Sequence, residues 1–266
     1  MKKLIKIASL CIIASLVLAS CSDDTVTPAA DKNYYPTTVG STWTYDGVNT
    51  EDTTGTTRDI SASSYAMSST VKDSLNYMGK SAVLIVNTYN NGQPDDTTYI
   101  SKTATQIYQY MSFTPGDFGG FGLSSILDFG SRWVLIADYN QASWPVFDTT
   151  VTGITLPLPS PFGPTPAKIT AKVTSAKSGV SSLTVGTQSV QVQEFITTIA
   201  FTAVLTTVLG EQTVPMTFVN KTYVSENIGI VKTEALPTTI SFPANLIAPI
   251  HINGNKETLK TYTIVK

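Results

Sequence analysis

Very few side chains in this 266-residue chain are of a type that carries covalent or metal chemistry. There is one histidine, His251, set in Pro249-Ile250-His251-Ile252, and there are two cysteines, Cys11 and Cys21. A serine or cysteine triad needs a base beside its nucleophile, and a catalytic zinc takes several nitrogen or sulfur ligands. One histidine between isoleucines reads instead as a strand residue. No G-x-S-x-G elbow, H-E-x-x-H pair or phosphate-binding glycine loop occurs. A glycosidase needs two carboxylates roughly 5–10 Å apart. Glu194, Glu226 and Glu234 have the right type, with nothing in their spacing to pair them. Asp95-Asp96 beside Gly92 lacks the spaced Asp-x-Asp-x-Asp-Gly pattern of a calcium loop and reads as a solvated turn. The expectation is therefore no catalytic residue, no metal, no cofactor and no enzymatic activity.

Cys21 stands apart because of what precedes it. Lys2, Lys3 and Lys6 lead into an apolar stretch from Ile7 to Leu18, followed by small Ala19 and Ser20. These are the three parts of an export signal. A spanning helix needs about 20 predominantly apolar residues, and this run is shorter and diluted by Ser9 and Ser15. Leu18-Ala19-Ser20-Cys21 resembles the bacterial lipobox. That resemblance implies a diacylglyceryl group on the Cys21 sulfur, a cut just before it by a dedicated peptidase, and residues 1–20 as the discarded signal peptide. A single acyl chain anchors only marginally, at about 0.8 kcal/mol per buried methylene, and stable attachment takes two signals. The two or three chains of a lipoprotein cysteine would hold the protein permanently. The implied partners are the membrane, through the anchor, and the lipoprotein-processing enzymes.

Ser22-Asp23-Asp24 resembles the acidic tract with which Bacteroidetes-type bacteria send lipoproteins to the outer face of the outer membrane. The expected location is the outer membrane, at the cell surface or on its periplasmic face. A second pattern resembles the O-glycosylation acceptor of envelope proteins in the same lineage, Asp-[Ser/Thr] followed by an aliphatic residue, Ala, Met or Thr. It recurs at Asp24-Thr25-Val26, Asp52-Thr53-Thr54, Asp73-Ser74-Leu75, Asp96-Thr97-Thr98 and Asp148-Thr149-Thr150. The implied acceptors are Thr25, Thr53, Ser74, Thr97 and Thr149.

The chain's formal charge is −2, and losing the three lysines of the leader leaves 14 basic against 19 acidic side chains. A modest negative charge has the wrong sign for a nucleic-acid binder. With Cys11 in the leader and Cys21 carrying lipid, no thiol remains for a disulfide, so the core alone must hold the fold. There are 41 threonines and 12 tyrosines against 6 glutamates. Strands favour Thr, Val, Ile, Tyr and Phe, whereas helix surfaces favour Ala, Glu, Lys, Gln and Arg. The balance specifies an all-β body with little helix, a twisted antiparallel sheet forming an open or half barrel, or a two-sheet sandwich. Residues 21–33 form the lipidated cysteine and a flexible tether, and residues 34–266 form a single β-rich domain.

Strands are expected at Ser81–Tyr89, Thr97–Lys102, Ile107–Met111, Ser131–Tyr139, Trp144–Ile154, Ile169–Ser175, Ser182–Val185, Ile228–Glu234, Thr239–Ile247 and Thr258–Val265. Asn90-Asn91-Gly92 supplies a hairpin turn. Tyr108 and Tyr110 share one face. Ser61–Met78 is ambiguous, and Leu123–Asp128 is the one short stretch that reads as helix. The run Val190–Leu209 as one strand would reach about 66 Å, so a midway bend or bulge, or two strands meeting at a corner, is expected. Val214, Met216 and Phe218 alternate with polar residues, as on a strand with one wet face. The Phe- and Gly-rich residues 112–125 read as a loop folded back on the body, and the prolines from Pro157 to Pro166 as an extended surface connection.

The body opens with Tyr34-Tyr35-Pro36, Gly40, Trp43 and Tyr45. Gly40 permits a tight turn, after which Trp43 and Tyr45 fall on one strand face, with Trp43 as a core anchor. The spacing Y-Y-P-x3-G-x2-W-x-Y resembles the start of a group of lipoproteins and secreted proteins of Bacteroidetes- and Chlorobi-type bacteria. Tyr223-x4-Ile228-Gly229-Ile230-Val231-Lys232 resembles the late strand of that group. The resemblance implies an envelope protein and no specified activity. Three readings follow. The first is an outer-membrane-anchored, non-enzymatic module that binds an unknown ligand or envelope protein or serves envelope structure. The second is a lipid-handling half-barrel similar in architecture to the LolA/LolB carriers, with Val190–Leu209 and the Phe/Gly loop covering an apolar cavity. The third, disfavoured by the missing catalytic residues, is an exported hydrolase.

Overall fold

The computed structural model describes residues 32–53, 55–112, 130–157, 163–207, 210–243 and 248–266, and Lys32–Lys266 forms one compact unit. Cys21 and Thr25, residues 113–129 with the Phe/Gly loop and the helix expected at Leu123–Asp128, and residues 158–162 lie outside them. Fifteen strands and one 3-10 turn, Ser61–Ser63, follow one another along the described chain. They are β1 (Thr42–Thr53), β2 (Thr56–Asp59), β3 (Tyr65–Tyr77), β4 (Lys80–Tyr89), β5 (Asp96–Lys102), β6 (Gln106–Ser112), β7 (Ser131–Asp138) and β8 (Ser143–Pro157). The second half comprises β9 (Pro164–Val185), β10 (Gln188–Thr207), β11 (Gly210–Ser225), β12 (Gly229–Ala235), β13 (Thr238–Ile240), β14 (Ile250–Ile252) and β15 (Gly254–Thr263).

One antiparallel sheet takes all of these but β13 and β14, in the order β7-β6-β5-β4-β3-β1-β15-β12-β11-β10-β9-β8, with β2 a side branch on β1. It curls into a nearly closed barrel, which is the half-barrel expectation rather than the sandwich. Nearly every step is a hairpin between strands consecutive in sequence. The exceptions are at the centre, where β1 pairs with β3 past the side branch β2, β1 with β15 and β15 with β12, bringing the last strand back beside the first.

Two cores lie on the inner face. The first fills the barrel with Trp43, Tyr45, Val71, Ile85, Ile100, Ile107, Val134, Phe195, Val231 and Leu259 among others. The second lies along the distal halves of β8–β11, where Leu156, Ile169, Ala171, Phe201, Leu205 and Val214 meet Ile240 of the small β13–β14 ribbon. This four-stranded blade exists because β11 pairs with β12 only from Asn220 onward. Its first ten residues run on beyond the barrel, and the ribbon covers their apolar side.

The long run Val190–Leu209 is not two strands. Residues 190–207 belong to a single 20-residue strand, β10, paired along almost all its length with β9 on one side and β11 on the other, and residues 208–209 lie outside the described residues. A bulge does occur, at Gln193/Phe195 near the start rather than midway. Between Gln188 and Thr207 there is no Gly, Pro, Asn or Asp to turn the chain. Ile169–Ser175 and Ser182–Val185 likewise fuse into β9. The described prolines of the proline-rich segment belong to paired strands: Pro157 closes β8 opposite Pro164, and Pro166 pairs with Thr155. Pro145 sits in β8, the sheet's terminal strand, where a missing donor costs no ladder bond. The ambiguous Ser61–Met78 resolves into the 3-10 turn and β3.

The two segments marked by resemblance form one clasp. Trp43, 1% exposed, donates its indole N–H to the Ile228 carbonyl at 2.7 Å, and the Tyr45 hydroxyl donates to the Ile230 carbonyl at 2.9 Å. Both bonds join residues 185 positions apart. Tyr35 packs on Trp43 at 5.6 Å, and the Asn227 amide donates to the Asn33 carbonyl at 2.6 Å. Gly40 turns with φ +90°, as its place before β1 requires, and its amide donates to Val71 O.

Candidate functional site

The inner face is apolar in the barrel and in the blade, and polar between them. Along β11 the inward residues run Val214, Met216, Phe218, Asn220, Thr222, Val224, and their partners across the ladders are Thr197 and Ile199 on β10 and Thr233 and Ala235 on β12. Asn255 of β15 pairs with Ala235. Opposite stand Gln109 and Met111 of β6 and Val134 and Ile136 of β7. These two walls line a half-open cavity of about 270 Å³. One side offers amides and hydroxyls, and the other offers mainly aliphatic carbon.

Some of these polar groups are already engaged. Thr197 shares a 2.8 Å bond with Ser175, and Thr233 donates to Glu257 at 3.2 Å. Gln109, Asn220 and Thr222 make no side-chain hydrogen bond among the described residues. All three are half-buried, so water meets these amides and this hydroxyl, and a ligand that displaces it must return the hydrogen bonds.

The polar belt continues round the barrel. The register places Thr222, Thr233, Glu257, Gly47 and Tyr65 in one row across β11, β12, β15, β1 and β3. A β-carbon at Gly47 would lie 2.3 Å from the Tyr65 ring. The missing side chain therefore lets that ring lie across β1, and its hydroxyl donates to Glu257 at 2.9 Å. Burial raises the Tyr65 hydroxyl's pKa well above its ordinary value, and the charge and hydrogen bond of Glu257 add to this. Farther along, Asp96 accepts from Asn87 at 2.6 Å and from Tyr89 at 2.8 Å, and Asn87 accepts from Ser69 at 2.7 Å. Asp96 is thus a hydrogen-bonded strand residue.

The carboxylates singled out in sequence sit elsewhere. Glu194 and Glu234 belong to an outer-face ladder with Lys221, Tyr223 and Lys232. Lys221 lies 3.5 Å from Glu194, Tyr223 donates to Glu194 at 2.9 Å, and Lys232 is 3.0 Å from Glu234. Burial pushes the Glu194 pKa up, but hydrogen bonds from Ser178 and Tyr223 and the charge of Lys221 outweigh it and hold the group below its ordinary range. A glycosidase acid needs the opposite shift. Glu226 lies in the turn before β12, 3.6 Å from Lys32. His251 stands exposed in the ribbon, its Nδ1 3.0 Å from the Thr239 hydroxyl. No group of three metal-ligating side chains occurs among the described residues.

No protein-family model matches the chain, and no curated protein matches it. Two solved structures are similar. One is described as a lipoprotein from Parabacteroides distasonis, at 11% identity over 87% of this chain and 99% of that one, with a TM-score of 0.43. The other is described as an exported protein with a YmcC-like fold from Bacteroides fragilis, at 9% identity over the same shares, with a TM-score of 0.37. Similarity at this level establishes neither a common fold nor a common function.

Of the glycosylation candidates, Thr53, Ser74 and Thr97 are exposed, and Thr149 is half-buried on the face it shares with Phe147 and Val151 of the second core. Tyr110 lies on the outer face with Tyr99 and Trp133, to which the register pairs it, and Tyr77 stacks on Tyr99 at 3.6 Å. Tyr108 lies under Lys80, 4.0 Å from the ring centre. A shallower outer groove holds Asp46, Asp59, Lys256 and Lys260, with Lys256 on Asp59 at 2.8 Å and Lys260 on Asp46 at 3.2 Å. Its four charges satisfy one another.

Sequence reasoning missed the cavity and the Glu257 row. Two signals were present. Gly47 interrupts a strand pattern, which marks a close approach. The same-face series on β11 turns polar at Asn220 and Thr222 before returning to Val224, which marks a lined space rather than a packed core.

Proposed function

We propose that the protein is an outer-membrane lipoprotein whose β body is a non-enzymatic binding module. Residues 1–20 direct export, lipid on Cys21 anchors the chain, residues 21–33 form the tether, and Thr53, Ser74 and Thr97 are the acceptors best placed for glycans. The binding role is carried by one observation: Gln109, Asn220 and Thr222 face a cavity with their hydrogen-bonding groups uncommitted. The anchoring role is carried by Leu18-Ala19-Ser20-Cys21 behind a basic, apolar leader. Against hydrolysis stand the lysine-paired Glu194 and Glu234, whose charges are stabilised rather than poised for proton transfer.

The lipid-carrier alternative draws support from the curled sheet. It is opposed by the barrel interior, where Trp43, Phe195, Ile100 and Ile107 are each at most 2% exposed and belong to one packed core.

The test is fractionation and intact-mass analysis of the native protein against Cys21→Ser. The wild type is expected in the outer-membrane fraction with the mass of a diacyl or triacyl cysteine at its N-terminus, and the variant is expected to be released from the membrane. A wild-type protein found freely soluble with an unmodified sulfur would sink the proposal.

A further inference from the structure

We infer that the cavity between β6–β7 and β10–β12 takes one neutral sugar residue. The inference rests on the binding-module reading and adds the ligand's chemistry.

Charge sets the first limit. The inward side chains of the lining, Gln109, Asn220, Thr222 and Asn255 with the aliphatic wall, are neutral; Lys221 and Glu234 also border the space, but each is paired, with Glu194 at 3.5 Å and Lys232 at 3.0 Å, and the nearby Glu257 carboxylate is held by Tyr65 and Thr233. An ionised ligand entering here would lose water without gaining a counter-charge. That argues against phosphates, fatty-acid headgroups and the charged ends of peptides.

Polarity sets the second. An acyl chain would bury the amides of Gln109 and Asn220 and the Thr222 hydroxyl against hydrocarbon, leaving each unpaired. The ligand must return hydrogen bonds on one side and present carbon on the other, toward Met111, Val134 and Ile136. A pyranose ring does both. Its hydroxyls donate and accept, as a carboxamide does with its two donors and its acceptor oxygen, and its C–H surface is apolar.

Shape sets the third. The space measures about 270 Å³, at the low end for small-molecule sites, and suits a single ring.

The experiment titrates the full mature protein with glucose, galactose, mannose, fucose, N-acetylglucosamine and N-acetylgalactosamine, read by ligand-observed saturation-transfer NMR. Palmitate and trialanine serve as contrasts. At least one neutral sugar should bind saturably, and Asn220→Leu and Gln109→Leu should each weaken it about tenfold or more, the cost of one unpaired buried group. Thr222→Val, nearly isosteric, supplies the same readout should either larger change prevent folding, which circular dichroism reports. Lys260→Gln on the outer groove should change nothing. Absence of saturable binding by every sugar up to about 10 mM, or binding indifferent to all three cavity substitutions, overturns the inference. Binding of trialanine or palmitate without any sugar also overturns it while leaving a binding module in place. Failure of every ligand class on a protein shown to carry lipid at Cys21 would remove the binding role and leave the anchor.

Discussion

The barrel and the blade share one sheet, yet they are held together by different means. The barrel core is ringed and long-range: Trp43, Tyr45, Trp144 and Phe195 fill it, and its polar ties run from β1 to the β11–β12 turn and the start of β12. The blade core is aliphatic and local, built from Ala, Ile, Leu and Val on four strands joined by successive hairpins, with Phe201 against Phe218 as its ring pair. Contacts distant in sequence cost loop-closure entropy before they yield any gain. The barrel closes only once the last strand has returned beside the first, whereas the blade's pairings are available as its hairpins form. The cavity lies where the two packings meet, and its polar lining is what neither core absorbs.

The largest expected effect tests whether this difference in construction is also a difference in stability. Trp43→Ala removes the barrel's anchor ring and leaves the Ile228 carbonyl without its donor, so a loss of about 4–5 kcal/mol is expected. Ile169→Ala, in the blade, should cost about 3 kcal/mol. Urea unfolding followed by both tryptophan fluorescence and far-ultraviolet circular dichroism reads the two regions. Because β9 and β10 run through both cores, each substitution should shift a single shared transition. A split transition for Ile169→Ala, with fluorescence unmoved, would show that the blade unfolds by itself and that the sheet is not one cooperative body.

A smaller effect belongs to the Glu257 row at the border of the two packings. Gly47→Ala would force the Tyr65 ring away from β1 and take its hydroxyl off Glu257, and Tyr65→Phe removes the same bond without the clash. Each should cost about 1–2 kcal/mol. The pH dependence separates them from general damage. Burial, with Glu257 beside it, raises the Tyr65 pKa in the folded state. Its contribution is therefore complete below the ordinary tyrosine value near 10 and is lost as pH climbs from there toward the folded value. Alkaline unfolding curves of Tyr65→Phe should be flatter above pH 10 than those of the wild type. An unchanged alkaline limb would place Tyr65 outside the row's energetics.

Local composition made the strands legible, and it made the half-barrel one of two architectures in view. Threonine and tyrosine abundance with six glutamates left little else to build. The opening with Trp43 and the segment Ile228–Lys232 were each visible as motifs, but their union was not, because a bond across 185 residues has no periodic trace. The site was less legible for a related reason. It is assembled from a few residues each on β6, β7, β10, β11 and β12 with Asn255 of β15, none of them unusual in its own strand. The reading of β10 as a bent or doubled element applied ordinary strand length to a run with no turn residue in it. Pairing on both edges permits the exceptional length.

The smallest expected effect comes from the outer-face ladder and sharpens the contrast between a structural and a catalytic carboxylate. Glu194 is held below its ordinary value, its burial outweighed by Ser178, Tyr223 and Lys221. A carboxylate depressed in the folded state adds stability that is present above its unfolded value, near 4.5, and fades as pH falls through the folded one. Glu194→Gln should therefore lower stability slightly at neutral pH and flatten the acid limb below pH 4.5, leaving the alkaline limb as it was. Ligand binding should be untouched, since Glu194 points away from the cavity across the sheet. A loss of sugar binding in Glu194→Gln, with stability intact, would move the functional centre to the outer face and unite the ladder with the groove beside it.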